Sequence, residues 1–452
     1  MRWFASWHPA STGAGRPPVP AGARQVWPGG PPLWVAGQWD RWEVRTCHFS
    51  GFHLAAFGAC LATDTELAAA ATAARRSGNY TVLAELAGNH VTVVHDEYGV
   101  TVVTDLAGLH PVFYTPWTGG TLFASSPLPL ADLTRAGLDL EWLAAMLLCP
   151  DVPQANVDRS AFAGIRRTRP GHVLTVGPDG LRQRPIPLPL GDATFKEGAQ
   201  ALRSALVTAV QRRAGLGQTM TADLSGGLDS STLAVLAAGY LPAGLPAITY
   251  ADPVADNADD LAYAQLCADD EPRLNQIIVT GDQTTLPFLD LDQVPLLDEP
   301  SQDTLLFTRT WARLAPAAAC GSAIHLSGDG GDAVLVGSLT YLAGLARSGR
   351  MRDVVREAAT SAGPSGGGPS AAPATPIFDP NSTKMSPAGT FERRSAKGDP
   401  RNAGGRRRGQ RPHVDRAAGH HCTANPAGLC AAHRQPLSDA LDQVHGVTDP
   451  AV

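Results

Sequence analysis

Hydrophobic and polar positions follow three different rhythms along the 452-residue chain. Through residue 190 the apolar residues come in short runs rich in Val and Thr: "YTVLAELAG" (80–88), "NHVTVVHD" (89–96) and "GVTVVTD" (99–105). Each is bounded by Gly or Asn turn signals, so each predicts a strand. "GHVLTVGPDGLRQRPI" (171–186) predicts a hairpin that turns at "GPDG". Strands at this spacing predict an antiparallel, sandwich-like domain over residues 1–190.

From about residue 195 the period lengthens. "EGAQALRSALVTAVQRRA" (197–214) places Ala, Leu and Val at helical spacing. Short strands then alternate with helices: "TMTADL" (219–224), a helix over 230–240, "AITYA" (247–251), a helix around "DDLAYAQLCA" (259–268), "NQIIVT" (275–280) and "AIHLSG" (323–328). That alternation predicts an α/β domain over 195–360, a parallel sheet covered by helices on both faces. Over 361–452 neither period survives. Between 361 and 411 the large apolar residues are Ile377, Phe378, Met385 and Phe391, too few to offset the entropy of folding. A low-complexity, disordered tail is expected there, of the kind a shifted reading frame in a GC-rich gene produces.

Composition narrows the class without naming a function. With 44% apolar and 17% charged residues the chain suits a globular enzyme of two or three domains. A net charge of −6 argues against a nucleic-acid partner, and "GGRRRGQR" (404–411) lies in the polar tail, where a solvated run is the simpler reading. Seven scattered cysteines do not form a disulfide framework; Cys47, Cys60, Cys149, Cys267 and Cys320 are expected to be buried thiols. His420, His421, Cys422, Cys430 and His433 fit no zinc spacing. The start "MRWFASWHPASTG" is no signal peptide, and no run of ~20 apolar residues occurs. A cytoplasmic protein without a membrane span is expected.

Chemistry concentrates in "DLSGGLDSS" (223–231), a glycine turn between a strand and a helix. Such a turn lies at the carboxyl edge of the sheet, where open α/β sheets bind ligands. Gly226 and Gly227 let a ligand approach the main chain, while Ser225, Ser230 and the positive end of the helix make an anion cradle. That predicts a phosphate site, with Asp229 beside it as a Mg²⁺ ligand. The Walker pattern G-x-x-x-x-G-K is missing. A second strand-edge glycine turn, "SGDGGD" (327–332), carries Asp329 and Asp332; it would close over the nucleotide from the other side, with Asp332 on the same metal. Asp259 and Asp260 would orient substrate or metal, or simply sit as acids in a helix's first turn.

Three ordered stretches resemble the asparagine synthetase family, whose members make an acyl-adenylate from ATP and a carboxylate. "LSGGLDSS" is similar to its pyrophosphate-binding loop, "LLDEPSQDT" (296–304) to its Asp-Glu-Pro segment, and "LSGDGGDAVLVG" (326–337) to its Ser-Gly-Glu-Gly-x-Asp-Glu loop. Asp329 stands for the first glutamate of that loop and Ala333 for the second. "VVTDLAGLHPVFYT" (102–115), "LFASSPLPL" (122–130) and "FAGIRRTRPGHVLTV" (162–176) resemble the family's Ntn-type glutaminase domain. Glutamine-using members need a cysteine directly after the initiator Met; Arg2 occupies that place, so the N-terminal domain reads as a degenerate glutaminase.

The resemblance implies a ligase using ATP and Mg²⁺. Leu224, Ser225, Gly226, Gly227, Asp229, Ser230 and Tyr250 would hold the nucleotide from one side, Ser327 and Gly328 from the other. Asp229 and Asp332 would hold the metal, and Asp329 would act at the reacting carboxylate. Without glutaminase chemistry the chain resembles ring-closing members, nearest to the lasso-peptide cyclases of actinobacteria. The substrate would then be a precursor peptide, handled with leader-binding or protease partner proteins. Two alternatives stay open: an asparagine synthase fed by free ammonia, and an inactive member shortened after "YLAGLARSGRMRDVVREA" (341–358), where the family pattern fades.

Overall fold

The computed structural model describes residues 2–10, 17–148, 156–177, 180–188, 193–252, 258–335 and 340–361. Cys149, Pro178 and Asp179 of the "GPDG" turn, and the sequence after 361 lie outside these residues.

The first half runs β1 (Trp3–Pro9), β2 (Arg24–Gln25), β3 (Leu33–Ala36), β4 (Val44–Phe49), β5 (Phe52–Cys60), α1 (Asp64–Ser77), β6 (Gly88–Asp96), β7 (Gly99–Val103), β8 (Phe113–Trp117), β9 (Gly120–Ala124), α2 (Leu128–Thr134), α3 (Leu140–Leu148), β10 (Arg166–Arg167), β11 (His172–Gly177) and β12 (Gly180–Pro185). The strands form two antiparallel sheets, ordered β10-β8-β9-β1-β3-β2 and β12-β11-β7-β6-β5-β4. Period-two alternation sorts their side chains. Phe4, Val35, Phe57, Val93, Val102 and Phe123 meet in one buried cluster contributed by both sheets. Their neighbours along the strands turn the other way: Leu54, Val94 and Val103 pack with Leu67, Ala71 and Ala74 of α1, and Ala5, Trp34 and Phe113 pack with Leu130 and Ala131 of α2. The expected sandwich is present, with a helix added outside each sheet. The hairpin is present as well, β11 pairing β12 from His172↔Pro185 to Gly177↔Gly180.

Two expectations need correction here. "YTVLAELAG" is not a strand: Tyr80–Glu85 is a short 3₁₀ helix, started by the Asn79 side chain accepting from Thr81 N–H. Leu83 is wholly buried beneath it, in the cluster that α1 shares with its sheet, so tertiary burial overrides the β propensity of the segment. The cysteines are not uniformly buried. Cys60 is buried, Cys47 and Cys267 are half-buried, and Cys320 is exposed because it lies one residue past the end of a helix, at its C-cap.

The second half runs α4 (Phe195–Ala214), β13 (Met220–Asp223), α5 (Leu228–Ala238), β14 (Leu245–Ala251), α6 (Ala258–Asp270), β15 (Leu274–Thr280), α7 (Phe307–Ala319), β16 (Ile324–Leu326) and α8 (Gly331–Leu335). Its four strands are parallel and ordered β15-β14-β13-β16. Helices α5, α6 and α7 pack along them. Arg212 at the end of α4 joins the two halves: it grips Glu66 of α1 with two hydrogen bonds of 2.8 Å and donates to Leu61 O at 3.0 Å. A separate compact unit begins at Ser338; its described part is α9 (Thr340–Arg347) and α10 (Met351–Ser361).

Candidate active site

The order of the parallel strands puts β13 next to β16, with Met220 opposite Ile324 and Ala222 opposite Leu326. Both strands therefore release their glycine turns at the same carboxyl edge. After β13 the chain turns at Gly226, whose φ of +87° only glycine adopts freely. A side chain at Gly226 would collide with the Asp260 carbonyl oxygen of α6. Gly227 is the N-cap of α5, in extended backbone and with no side chain capping the helix. That end of α5 carries no side-chain cap, the kind of helix start that can receive an anion. The helix starts two residues earlier than expected, because Gly227 already provides the extended cap, so Asp229 and Ser230 lie in its first turn.

Ser230 shapes the turn. Its Oγ accepts from Ser225 N–H at 3.1 Å and shares a hydrogen bond with Ser225 Oγ at 2.7 Å. Ser225 Oγ in turn accepts from Gly227 N–H at 3.3 Å. Leu224 is fully buried; its N–H donates to Ile248 O and its O accepts from Thr249 Oγ, both at 2.7 Å. It forms the floor of the loop.

The second turn lies directly against the first. A Cβ on Gly328 would stand 2.8 Å from Ser230 N, and one on Gly331 would run into the Asp229 carboxylate. Glycine at both places lets the two loops close around Asp229 without displacing its side chain. Ser327 Oγ accepts from Asp329 N–H at 3.4 Å, while Asp329 and Asp332 are exposed. Among the described residues no three His, Cys, Asp or Glu side chains converge as a metal site. Two carboxylates and the glycine cradle suit a hard cation that takes its remaining oxygens from phosphate and water. Asp229 and Asp332 are the carboxylates that would hold it. Tyr250 stands on β14 beneath the Arg309 guanidinium, 4.9 Å from its ring centre, and donates its hydroxyl to Thr285 at 3.0 Å. Asp259 and Asp260 are exposed in the first turn of α6.

Helix α7 was missed in the sequence, and with it two arginines one turn apart. Arg309 pairs with Asp252 at 3.7 Å. Arg313 lies 3.5 Å from both Asp223 and Asp329. Asp223, at the tip of β13, is nearly inaccessible and also takes a hydrogen bond from His325 Nε2 at 3.2 Å. His325 Nδ1 meets Thr221 Oγ at 2.8 Å, and Thr221 Oγ meets Ser322 Oγ at 2.9 Å. Because a carboxylate only accepts, Nε2 carries the proton and Nδ1 takes the Thr221 hydroxyl. The signal for this helix was the i, i+4 arginine pair in "FTRTWARLAPAAA", obscured by Pro316 inside it. Nearby Asp303 has its carboxyl raised, chiefly by burial, with the charge of Asp329 adding to it.

The Asp-Glu-Pro segment does not line the glycine loops by its acids. Asp298 Oδ1 accepts from Ser126 Oγ at 2.6 Å, and Glu299 Oε1 accepts from Ala161 N–H at 2.8 Å, both in the β-rich half. Burial lifts the Asp298 carboxyl and pushes Glu299 up to about 7. In that half Arg2 donates to Glu43 at 2.6 Å and stacks over Trp39, 5.0 Å from its ring centre.

A layered β-rich half followed by a parallel sheet with paired glycine turns defines a mixed α/β, two-part architecture. Residues 57–186 match the family described as glutamine amidotransferase domain, and residues 201–424 the family described as asparagine synthase. The two matches fall on separate parts of the chain, and each part is similar to the family whose description it matches. The chain is 30% identical over 156 residues to "Asparagine synthetase [glutamine-hydrolyzing] 3" of Bacillus subtilis (strain 168), a match covering 30% of this chain and 23% of that protein's length. Among solved structures it is similar to glutamine phosphoribosylpyrophosphate amidotransferase from B. subtilis complexed with ADP and GMP, with a TM-score of 0.25 and 11% identity over 72% of this chain and 84% of that one. A structure of the allosteric regulatory enzyme of purine biosynthesis gives 0.24 and 11% over 66% and 76%. Likeness at that level carries no weight for function. Among the described residues no helix is long and apolar enough to cross a membrane.

Proposed function

We propose that the chain is an ATP-dependent carbon–nitrogen ligase that activates a carboxylate as its adenylate, and that the carboxylate belongs to a precursor peptide whose own amine closes a macrolactam. The observation carrying the ligase reading is the contact of the two glycine turns on adjacent strands, Gly328 against Ser230 N and Gly331 against Asp229. The uncapped start of α5 and the main chain of 225–227 receive the pyrophosphate end of ATP. Ser327 and Gly328 close on the nucleotide from the facing loop. Asp229 and Asp332 would hold Mg²⁺, which would supply neutralisation of the charge that develops on the phosphates. A carboxylate oxygen attacks the α-phosphorus and pyrophosphate leaves; the amine then attacks the acyl carbon, loses its proton and expels AMP. Asp329, at the mouth of the loop, orients the reacting end of the substrate, and the closed loops exclude water from the anhydride.

The state of the β-rich half supports an amine that does not come from glutamine. Arg2 is engaged by Glu43 and Trp39. The thiols of Cys47 and Cys60 are pushed up by burial, away from the reactive thiolate. An asparagine synthase using free ammonia employs the same loops; the name of the B. subtilis relative supports asparagine as product, but with glutamine rather than ammonia as its nitrogen source. ATP–pyrophosphate exchange separates the readings. Exchange stimulated by a candidate precursor peptide, delivered with its leader-binding and protease partners, supports ring closure; stimulation by aspartate alone replaces it with the asparagine reading. Folded protein that exchanges with neither removes the ligase assignment.

A further inference from the structure

Asp329 is a short, exposed acid on a glycine-rich turn, and loops of this composition are not rigid by themselves. What reaches it is Arg313, from a separate helix. The guanidinium stands 3.5 Å from Asp329 Oδ2 and 3.5 Å from Asp223 Oδ2, one nitrogen to each. Its Nε is buried and has no hydrogen-bond partner. Both separations exceed the ~2.7–2.9 Å of a fully formed charge-assisted hydrogen bond. The guanidinium thus faces both carboxylates across equal short gaps, and of the two Asp223 is the buried one with further partners. It is held by His325 and, through it, by Thr221 and Ser322.

We propose that Arg313 is a positioning residue: anchored on Asp223, it holds Asp329 and thereby sets the second glycine loop over the nucleotide. This rests on the ligase reading for its consequence in turnover, but its structural half stands by itself. Arg313 links the tip of the strand that launches the phosphate loop to the tip of the loop that closes on it. A change at either end is felt at the other through one side chain. Tyr250 and Asp252, engaged by Arg309 one turn earlier on α7, place the same helix beside the third strand tip of that edge.

The test uses the full chain with Arg313→Gln, Arg313→Lys, Asp329→Asn and the Arg313→Gln/Asp329→Asn double variant. Arg273→Ala, whose guanidinium pairs with Glu271 at the opposite edge of the sheet, controls for lost charge. In ATP–pyrophosphate exchange, Arg313→Gln is expected to lower kcat ~10–100-fold while KM for ATP changes less than ~3-fold, the signature of misplaced rather than missing contacts. The double variant should be no worse than the poorer single one, since both remove the same link. Arg313→Lys keeps the charge without the fork and should fall between Gln and wild type. Independently of activity, amide hydrogen exchange across 326–332 should quicken at least ~5-fold in Arg313→Gln and in Asp329→Asn, and stay unchanged in Arg273→Ala. Asp329→Asn leaves the Arg313–Asp223 pair intact, so it reports on the loop even if loss of Arg313 impairs folding. Unchanged exchange across 326–332 in Asp329→Asn, or losses that multiply in the double variant, would overturn the proposal. Wild-type protein that lacks pyrophosphate exchange while its variants show the quickened loop removes the ligase reading and leaves the link standing.

Discussion

His325 and Asp223 face each other across adjacent parallel strands with Nε2 3.2 Å from Oδ1, and neither side chain has appreciable contact with solvent. A buried carboxylate without partners is strongly disfavoured, and the second partner, Arg313, stands off at 3.5 Å. Replacing His325 by Ala therefore leaves a cavity and a poorly compensated charge together. The expected loss is ~3 kcal/mol or more in denaturant unfolding. A change of both residues, His325→Leu with Asp223→Asn, is expected to recover most of that loss, because the orphaned charge is gone.

The glycines of the two turns separate folding from function. Gly226 has φ of +87° and a Cβ there would run into the Asp260 carbonyl of α6, so Gly226→Ala meets strain and a backbone collision together. A loss of ~2–4 kcal/mol is expected, read as a lower unfolding midpoint. Gly331 opposes the Asp229 side chain, with no backbone atom among its nearest contacts. Gly331→Ala is expected to keep the melting temperature and displace that carboxylate. Magnesium-dependent nucleotide binding should weaken at least ~10-fold by calorimetry.

Glu299 makes the docking of its segment pH-dependent. Its carboxyl is raised by burial from the usual 4.5 to about 7, so between these values the folded chain binds more protons than the unfolded one. Stability from this group is full below about 4.5, falls as pH rises through about 7, and is flat above. Glu299→Gln preserves the acceptor for Ala161 N–H and removes the charge. The variant is expected to match wild type near pH ~4 and to exceed it by roughly 1–3 kcal/mol near pH ~8, measured by urea unfolding across that range.

The tie between the two halves responds in the opposite sense. Arg212 lowers the Glu66 carboxyl to about 2, so its contribution is present above the usual 4.5 and disappears as pH falls toward 2. The pair is exposed and salt should screen it as well. Hydrogen exchange in α4 is expected to rise with acid or salt in wild type, and to lose that dependence in Arg212→Gln.

Alternation along β6 and β7, the helical period of 197–214 and the glycine turns after β13 and β16 were legible because each is a local pattern with a local cause. The family resemblance added the order of the two loops. Helix α7 escaped because Pro316 interrupts its sequence signal, and the 3₁₀ helix at Tyr80–Glu85 was read as a strand because Leu83 is assigned by burial rather than propensity. The Asp-Glu-Pro acids were visible as a motif, but their placement against Ser126 and Ala161 was not.

By itself, then, the sequence determined where the two glycine turns and the strands and most helices would form, since periodicity and turn chemistry act over a few residues. Only the tertiary structure decided that β16 lies beside β13, that Gly331 meets Asp229, and that Arg313 spans Asp223 and Asp329. Those contacts join residues about a hundred positions apart, and strand order and buried charge pairing, which create them, leave no periodic trace in the chain.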